Sequence, residues 1–130
     1  MKTLRRTWAE VSLDNLEHNY RAIKEHIPSG CRFLGVMKAD AYGHGSRRIA
    51  LFLQNKCDYF AVASINEGEA IRAAGVKTPL LILSYTSPLE YEDLIRNDIT
   101  ATIFNVENAK ALSETALKMN KTAKVHIAVD

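Results

Sequence analysis

Five short apolar segments alternate with amphipathic ones along this chain. They are rich in branched side chains and lie at residues 33–37, 59–63, 80–83, 100–104 and 124–129. Each is apolar at nearly every position, which is typical of strands that are covered on both faces of a parallel sheet. Successive strands begin roughly 20 to 27 residues apart, the length of a short strand–helix unit. The pattern predicts an α/β fold, either a barrel or an open, doubly wound sheet.

Helix-start signals precede the amphipathic segments. Ser12 is the predicted N-cap of a first helix, whose apolar positions recur every three or four residues at Leu13, Leu16, Tyr20, Ile23 and Ile27. Three later helices are predicted from Ser64 with Glu67, from Ser87 with Pro88 and Glu90, and from Asn105. The two Ser-x-x-Glu pairs fit a reciprocal capping box. We expect Gly75 to end the second helix, and the last to turn inward Val106, Ala109, Leu112 and Ala116.

Composition narrows the class of protein only slightly. The 130 residues are 47% hydrophobic and 25% charged, as in an ordinary globular domain. A net charge of +2 is too small to indicate binding to nucleic acid or to an anionic membrane. No apolar stretch reaches the roughly 18 to 20 residues of a membrane-spanning helix, so we expect a cytoplasmic protein. Cys31 and Cys57 have no metal-ligand spacing; we expect reduced, buried or half-buried thiols and no metal site.

One lysine has the position of a catalytic residue. Lys38 follows the first apolar segment and precedes a loop punctuated by Gly43 and Gly45. In both candidate folds the active site lies at the carboxyl ends of the strands, where residues 63–64, 84–85 and Asp130 are also expected. A lysine amine held partly out of water loses its proton more readily, and the free amine can condense with an aldehyde to form a Schiff base.

The loop after Lys38 has features that a phosphate group could use. Its glycines let backbone N–H groups approach a ligand, Tyr42 offers a hydroxyl, and a helix is predicted to open at Ser46. Taken alone, these features do not decide the function. A strand-end lysine is more often a solvated surface residue, and a Gly-x-Gly turn is more often only a turn.

The longer motifs resemble the alanine racemase family. Residues 36–45 read VMKADAYGHG and closely resemble the cofactor-lysine signature of that family. The segments TWAEVSL, AVASINEGEA, PLLILSY and VHIAVD, at residues 7–13, 61–70, 79–85 and 125–130, follow in the family's order. The resemblance covers essentially the whole chain.

This resemblance implies a TIM-type (β/α)8 barrel followed by a mainly β domain, of which residues 1–130 would supply only the first five strands. It implies a cytoplasmic homodimer that binds pyridoxal 5'-phosphate (PLP) and interconverts L- and D-alanine, supplying D-alanine for cell-wall synthesis. By match to the signature, Lys38 carries the cofactor and acts as one of two bases, and Tyr42 contacts the cofactor phosphate. Asp40 and His44 match too, and we assign them only loop shaping.

The second base, a tyrosine of the partner subunit in the family, has no matching position in these residues. Several relatives carry a carbamylated lysine where Ala128 stands here, so substrate handling differs or depends on another group. Five strands leave two open edges, and we expect the isolated chain to self-associate or to be marginally stable, and to be inactive. Two alternatives stay open: a racemase acting on serine or on several amino acids, and a non-catalytic PLP-binding barrel.

Overall fold

The computed structural model describes residues 7–129. The chain divides into two compact units, Met1–Cys31 and Arg32–Asp130. The first contains helix α1, Leu13–His26, whose N-cap Ser12 accepts a hydrogen bond from the backbone N–H of Asn15 at 3.2 Å, as predicted. No residue of α1 is fully buried, and Ile23, placed in the apolar stripe by the sequence, is half exposed.

In the second unit, the described residues form a five-stranded parallel sheet with helices between the strands. Its strands are β1 (Leu34–Val36), β2 (Tyr59–Val62), β3 (Leu80–Ile82), β4 (Ile99–Ile103) and β5 (Val125–Ile127). Its helices are α2 (Lys38–Gly43), α3 (Ser46–Leu53), α4 (Ile65–Ala73), α5 (Tyr91–Arg96) and α6 (Val106–Lys118), and a 3-10 turn, Pro88–Glu90, precedes α5. All five predicted strands are confirmed to within two residues at each end.

The strand order decides between the two folds that the sequence left open. Neighbours in the sheet follow chain order from β1 to β5, and every pair is parallel. A doubly wound sheet reverses its strand order at a switch point, whereas a TIM barrel adds each strand beside the previous one. The fold is therefore an α/β arrangement that matches part of a TIM barrel, as expected.

Close packing between α4 and the sheet identifies the face that the helices cover. A Cβ atom built on Gly68 of α4 would lie 2.7 Å from Cδ1 of Ile99 and 3.7 Å from Cγ2 of Val62. Those two side chains therefore face the helices, and because side chains alternate along a strand, Ala61 and Thr100 face the inner side. On that inner side the hydroxyls of Tyr59 and Thr100 lie 2.8 Å apart.

The expectation that all five strands are covered on both faces is wrong for the two outer ones. Strands β2 to β4 are almost wholly buried, but Leu34 and Val36 of β1 are 40% and 38% exposed, and Val125 and Ile127 of β5 are 46% and 75% exposed. In the described part of the chain, β1 and β5 each pair with a single neighbouring strand, which leaves one side open. The apolar sequence therefore predicted where each strand lies, but it did not predict whether other elements cover that strand.

Most predicted helix ends are confirmed, but the stripe predicted for α6 is only half right. Asn105 caps α6 by accepting from the N–H of Asn108 at 2.8 Å, and Gly75 closes α4 at a φ of +94°. Leu112 and Ala116 are buried, whereas Val106 is 62% exposed and Ala109 is exposed as well. These two positions lie at the start of α6, toward the open edge that β5 forms.

The two cysteines differ in their surroundings. Cys57 is buried, as expected, but Cys31 is exposed, which corrects the prediction that both would be at least half-buried. Among residues 7–129, no helix is both long enough and apolar enough to cross a membrane.

One arginine ties α4 to the loops that lead into β3 and β4. The guanidinium of Arg72 donates hydrogen bonds of 2.7–3.0 Å to the backbone carbonyls of Val76, Thr78, Asn97 and Asp98. Asp98 has a φ of +49°, a conformation that non-glycine residues rarely adopt. Arg72 therefore stabilises the strained turn at Asp98 and the loops that precede β3 and β4.

We expect Arg72→Ala to lower the free energy of unfolding by about 2 kcal/mol, because it removes charge-assisted hydrogen bonds to partly buried carbonyls. Urea unfolding of the intact protein measures the loss. Arg96→Ala is the control and should cost less than about 0.5 kcal/mol, since among residues 7–129 Arg96 pairs only with exposed carboxylates of its own helix, Glu92 and Asp93. Equal losses in the two variants would contradict this role.

The open strand edges and the exposed apolar side chains of β1 and β5 predict that the isolated 130-residue chain self-associates, because unpaired strand edges and apolar surface favour association with partners. Size-exclusion chromatography with light scattering over a range of concentrations checks this. We expect a mass above that of a monomer, rising with concentration. A single monomeric peak at every concentration would show that the exposed edges are harmless.

Candidate functional site

Lys38 lies at the carboxyl edge of the sheet, directly after β1. The N–H of Met37 donates to the carbonyl of Ala61 at 2.7 Å, which continues the β1–β2 ladder to the residue before the lysine. Met37 is buried, with 3% of its surface exposed, and Lys38 is half-buried. The structure therefore places this amine where the sequence predicted it, at the edge where an α/β active site is expected.

The segment after Lys38, which makes up most of α2, is a turn of left-handed helix. The sequence did not reveal it. Ala39, Asp40, Ala41 and Tyr42 have φ between 52° and 54° and ψ between 40° and 46°. L-residues pay roughly 1–2 kcal/mol each in this conformation, and it is normally visited by single residues. A glycine-punctuated loop was expected, but the left-handed turn is built from residues with side chains, and Gly43 and Gly45 follow it with φ of +84° and +92°.

Backbone hydrogen bonds close this left-handed turn at both ends. The N–H of Ala41 donates to the carbonyl of Met37 at 2.9 Å, and the N–H of Gly45 donates to the carbonyl of Asp40 at 2.9 Å. The ring Nδ1 of His44 donates to the carbonyl of Ala41 at 2.9 Å. His44 thus shapes the loop, the role assigned to it from the sequence.

Asp40 connects the left-handed turn to the next helix. Its Oδ1 accepts hydrogen bonds from the backbone N–H of Ser46 at 2.7 Å and from the Ser46 hydroxyl at 2.8 Å. These two bonds, the backbone one first, hold the pKa of the Asp40 carboxyl below its ordinary value, with a smaller contribution from the positive charge of Arg47. The first N–H of α3 is therefore already held by a carboxylate. That N–H is not free for the phosphate that the sequence suggested could bind at this helix opening.

A second carboxylate, that of Glu67, reaches the first residue of the left-handed turn. Its Oε1 accepts from the N–H of Ala39 at 2.8 Å, and its Oε2 accepts from the N–H of Ala63 at 2.7 Å. Only half of the predicted capping box is present, because Ser64 Oγ accepts from the Glu67 N–H at 3.4 Å while the carboxylate turns to other donors. At Ser87 and Glu90 the full box forms, as predicted.

Other predicted site residues lie along the same edge of the sheet. Residues 63–64 follow β2, and residues 84–85 follow β3, with the Tyr85 side chain 58% exposed. The N–H of Ala128 donates to the carbonyl of Ile103 at 2.9 Å, so Ala128 extends the β4–β5 ladder at this edge. Asp130 lies outside the described residues.

The donor set at this edge suits an aldehyde cofactor that carries a phosphate. Lys38 is half-buried at this edge and supplies an amine. Tyr42, in the left-handed turn, has a side chain that is 63% exposed, which leaves its hydroxyl accessible. An amine can bond to an aldehyde carbon, and a phenol can donate to a phosphate oxygen. The residues present therefore fit PLP.

Comparison with known proteins agrees with the motif resemblance. A family described as alanine racemase, N-terminal domain, matches residues 11–130. Alanine racemase 1 of Caldanaerobacter subterraneus subsp. tengcongensis is 42% identical over 128 residues, which is 98% of this chain and 33% of that relative. The chain thus spans about a third of the length of the curated relatives it matches.

Two solved structures extend this comparison. The alanine racemase of Clostridium difficile 630, in complex with cycloserine, superposes with a TM-score of 0.95 at 42% identity, covering 99% of this chain and 35% of that one. A histidine racemase from Leuconostoc mesenteroides subsp. sake gives a TM-score of 0.74 at 27% identity, covering 83% of this chain and 29% of that one. The fold is therefore shared by racemases named for different amino acids.

The hydrogen bonds to Asp40 predict how its contribution to stability depends on pH. A carboxyl whose pKa is lowered by folding stabilises the protein above its ordinary pKa, 3.8 here, and this stabilisation is lost as the pH falls through the lowered folded value. We therefore expect Asp40→Asn to destabilise the intact protein at neutral pH and to approach wild type in strong acid.

Urea midpoints measured from about pH 7 down to about pH 2 check this dependence, and the loss of stability in Asp40→Asn should shrink below pH 3.8. Ser46→Ala, which removes one of the two donors and keeps the other, should give a smaller change of the same sign. A difference between Asp40→Asn and wild type that stays constant, or that grows toward acid, would contradict the assignment.

Proposed function

Because the chain belongs to the alanine racemase family, we propose that it forms the first five strands of a PLP-binding barrel in an enzyme that interconverts L- and D-alanine. The observation that carries the proposal is the position of Lys38, half-buried at the carboxyl edge of β1 inside the signature motif and followed by Tyr42. On this proposal residues 1–130 are the amino-terminal portion of a larger barrel domain.

When bound, PLP withdraws electron density from the α-carbon of an amino acid, so that its α-proton can be removed. In the proposed site Lys38 would hold the cofactor through its amine, and the same amine would take or return a proton on one face of the α-carbon of the amino acid. The Tyr42 hydroxyl would donate to the cofactor phosphate. Asp40 and Glu67 touch neither group in this proposal, and they hold the backbone that carries Lys38 and Tyr42.

Removing a proton from one face and returning it to the other requires a second base opposite Lys38. We propose that this base lies outside these 130 residues, on the partner subunit of a homodimer, as the family resemblance implies. The remaining phosphate contacts would also come from elsewhere in the protein, as the family resemblance implies. We further propose a cytoplasmic enzyme whose D-alanine serves cell-wall synthesis.

A racemase for a different amino acid is the second candidate. It is favoured by the shared fold of the histidine racemase, and Ala128 is the position at which substrate handling would differ from that of several relatives. A serine racemase or one of broad specificity belongs to the same class. A non-catalytic PLP-binding barrel would keep Lys38 and lack turnover.

Exchange of the α-hydrogen in D2O tests the proposal and separates these candidates. We expect the full-length protein with PLP to exchange the α-hydrogen of both alanine enantiomers, and Lys38→Ala to lose about 10³-fold or more of this rate. Lys77→Ala is the control, because Lys77 is exposed before β3, at the other end of the strands, and should leave the rate unchanged.

Exchange of histidine or serine in preference to alanine would identify a different racemase. Bound cofactor without exchange of any amino acid would indicate the non-catalytic barrel. If Lys38→Ala exchanged the α-hydrogen as fast as wild type, Lys38 would not be a base in the reaction.

The isolated 130-residue chain should give no measurable racemisation of alanine, because only one of the two proposed bases is present. A coupled assay for D-alanine measures this, with the full-length protein as the positive control. Turnover by the isolated chain comparable to that of the full-length protein would refute the two-base proposal.

A further inference from the structure

We propose that Glu67 is a positioning residue for Lys38, a clamp that fixes the peptide unit after the lysine to the end of the neighbouring strand. The effect on cofactor binding rests on the function proposed above, whereas the effect on the backbone does not. Glu67 lies on α4, in the strand–helix unit after the one that contains Lys38, 28 residues beyond Ala39.

The carboxylate of Glu67 joins two strand ends with one oxygen for each. Oε1 holds the N–H of Ala39, just after β1, and Oε2 holds the N–H of Ala63, just after β2. Charge-assisted hydrogen bonds of this length, 2.7–2.8 Å, are among the stronger ones in proteins. The two ends are thus tied through a single side chain at the edge where the lysine lies.

The Ala39 N–H is the group through which such a clamp controls Lys38. It belongs to the planar peptide unit that begins at the carbonyl of Lys38, so fixing this N–H restricts the backbone next to the lysine Cα. Ala39 is also the first residue of the left-handed turn, with a φ of 52°. That strained segment needs interactions from outside itself, and Glu67 supplies one at the lysine end, while Asp40 and Ser46 supply one at the other.

The chain contains an internal comparison for this role. Glu90 follows Ser87 at the same spacing as Glu67 follows Ser64, and its carboxylate returns to the N–H of its own N-cap, Ser87, at 3.2 Å. The same sequence pattern therefore forms a local cap at Ser87 and Glu90, whereas at Ser64 and Glu67 the glutamate bonds to the end of the neighbouring strand. A role limited to helix capping would not bring the Glu67 carboxylate to Ala39.

The test compares Glu67→Gln with Glu90→Gln in the full-length protein. A carboxamide has one acceptor oxygen, and its NH2 group cannot accept from an N–H, so Glu67→Gln keeps the shape of the side chain but loses one of the two bonds. Amide hydrogen exchange of peptides that contain Ala39 and Ala63 reports on the clamp without cofactor. The dissociation constant of PLP, from the absorbance of the lysine-bound cofactor, reports on Lys38.

We expect Glu67→Gln to speed exchange at Ala39 or Ala63 by about 10-fold and to raise the dissociation constant of PLP by about 10-fold or more. Glu90→Gln should leave both within about twofold, and exchange in β3 and β4 should match wild type in both variants, which shows that the sheet stays folded. Wild-type exchange and PLP affinity in Glu67→Gln, or equal changes in Glu90→Gln, would overturn the proposal.

The two proposals fail in different ways. If wild type binds no cofactor at Lys38, the proposed function is wrong, and the exchange rates alone then decide whether Glu67 clamps the backbone. If wild type binds PLP at Lys38 and Glu67→Gln binds it equally well, the proposed function stands and the positioning role is refuted.

Discussion

The left-handed turn at residues 39–42 is the constraint on which the candidate site depends. Four consecutive residues with side chains adopt a conformation that L-residues disfavour, directly between a strand that ends at Val36 and a helix that begins at Ser46. Such a segment persists only where its surroundings hold it. Here the turn carries Lys38 at its start and Tyr42 at its end, so the interactions that hold it also determine where an amine and a phenol are presented.

Two carboxylates provide much of that support, one at each end. Asp40 accepts both donors of Ser46 and thereby couples the left-handed turn to α3, while Glu67 couples its first N–H to the end of β2. Neither carboxylate bonds to a side chain that would react in the proposed function. In the proposed function Lys38 reacts and Tyr42 contacts the phosphate, while the rigidity of the turn comes from the hydrogen bonds of Asp40 and Glu67. A site at the edge of a sheet can be held in this way.

The sequence predicted the fold well where local physics decides it. Branched apolar runs marked all five strands, and Ser12 and Asn105 marked two helix starts, because strand composition and capping are local. Lys38 was found from its place after a strand.

The left-handed turn was missed because Ala39 and Ala41 carry no signal for positive φ, and the bond that holds Ala39 comes from a distant helix. A local pattern also does not report bonds to a neighbouring strand end, so the sequence predicted only a capping box for Ser64 and Glu67. The exposure of β1 and β5 depends on neighbouring strands, which no local pattern reports.

The proposed function depends on the Lys38 amine being the group that bonds to PLP. Borohydride reduction of the full-length protein after incubation with PLP, followed by peptide mass spectrometry, identifies the side chain that holds the cofactor. We expect a single reduced adduct on Lys38, absent without cofactor. Reduced cofactor on another lysine, or on none, would contradict the proposed function.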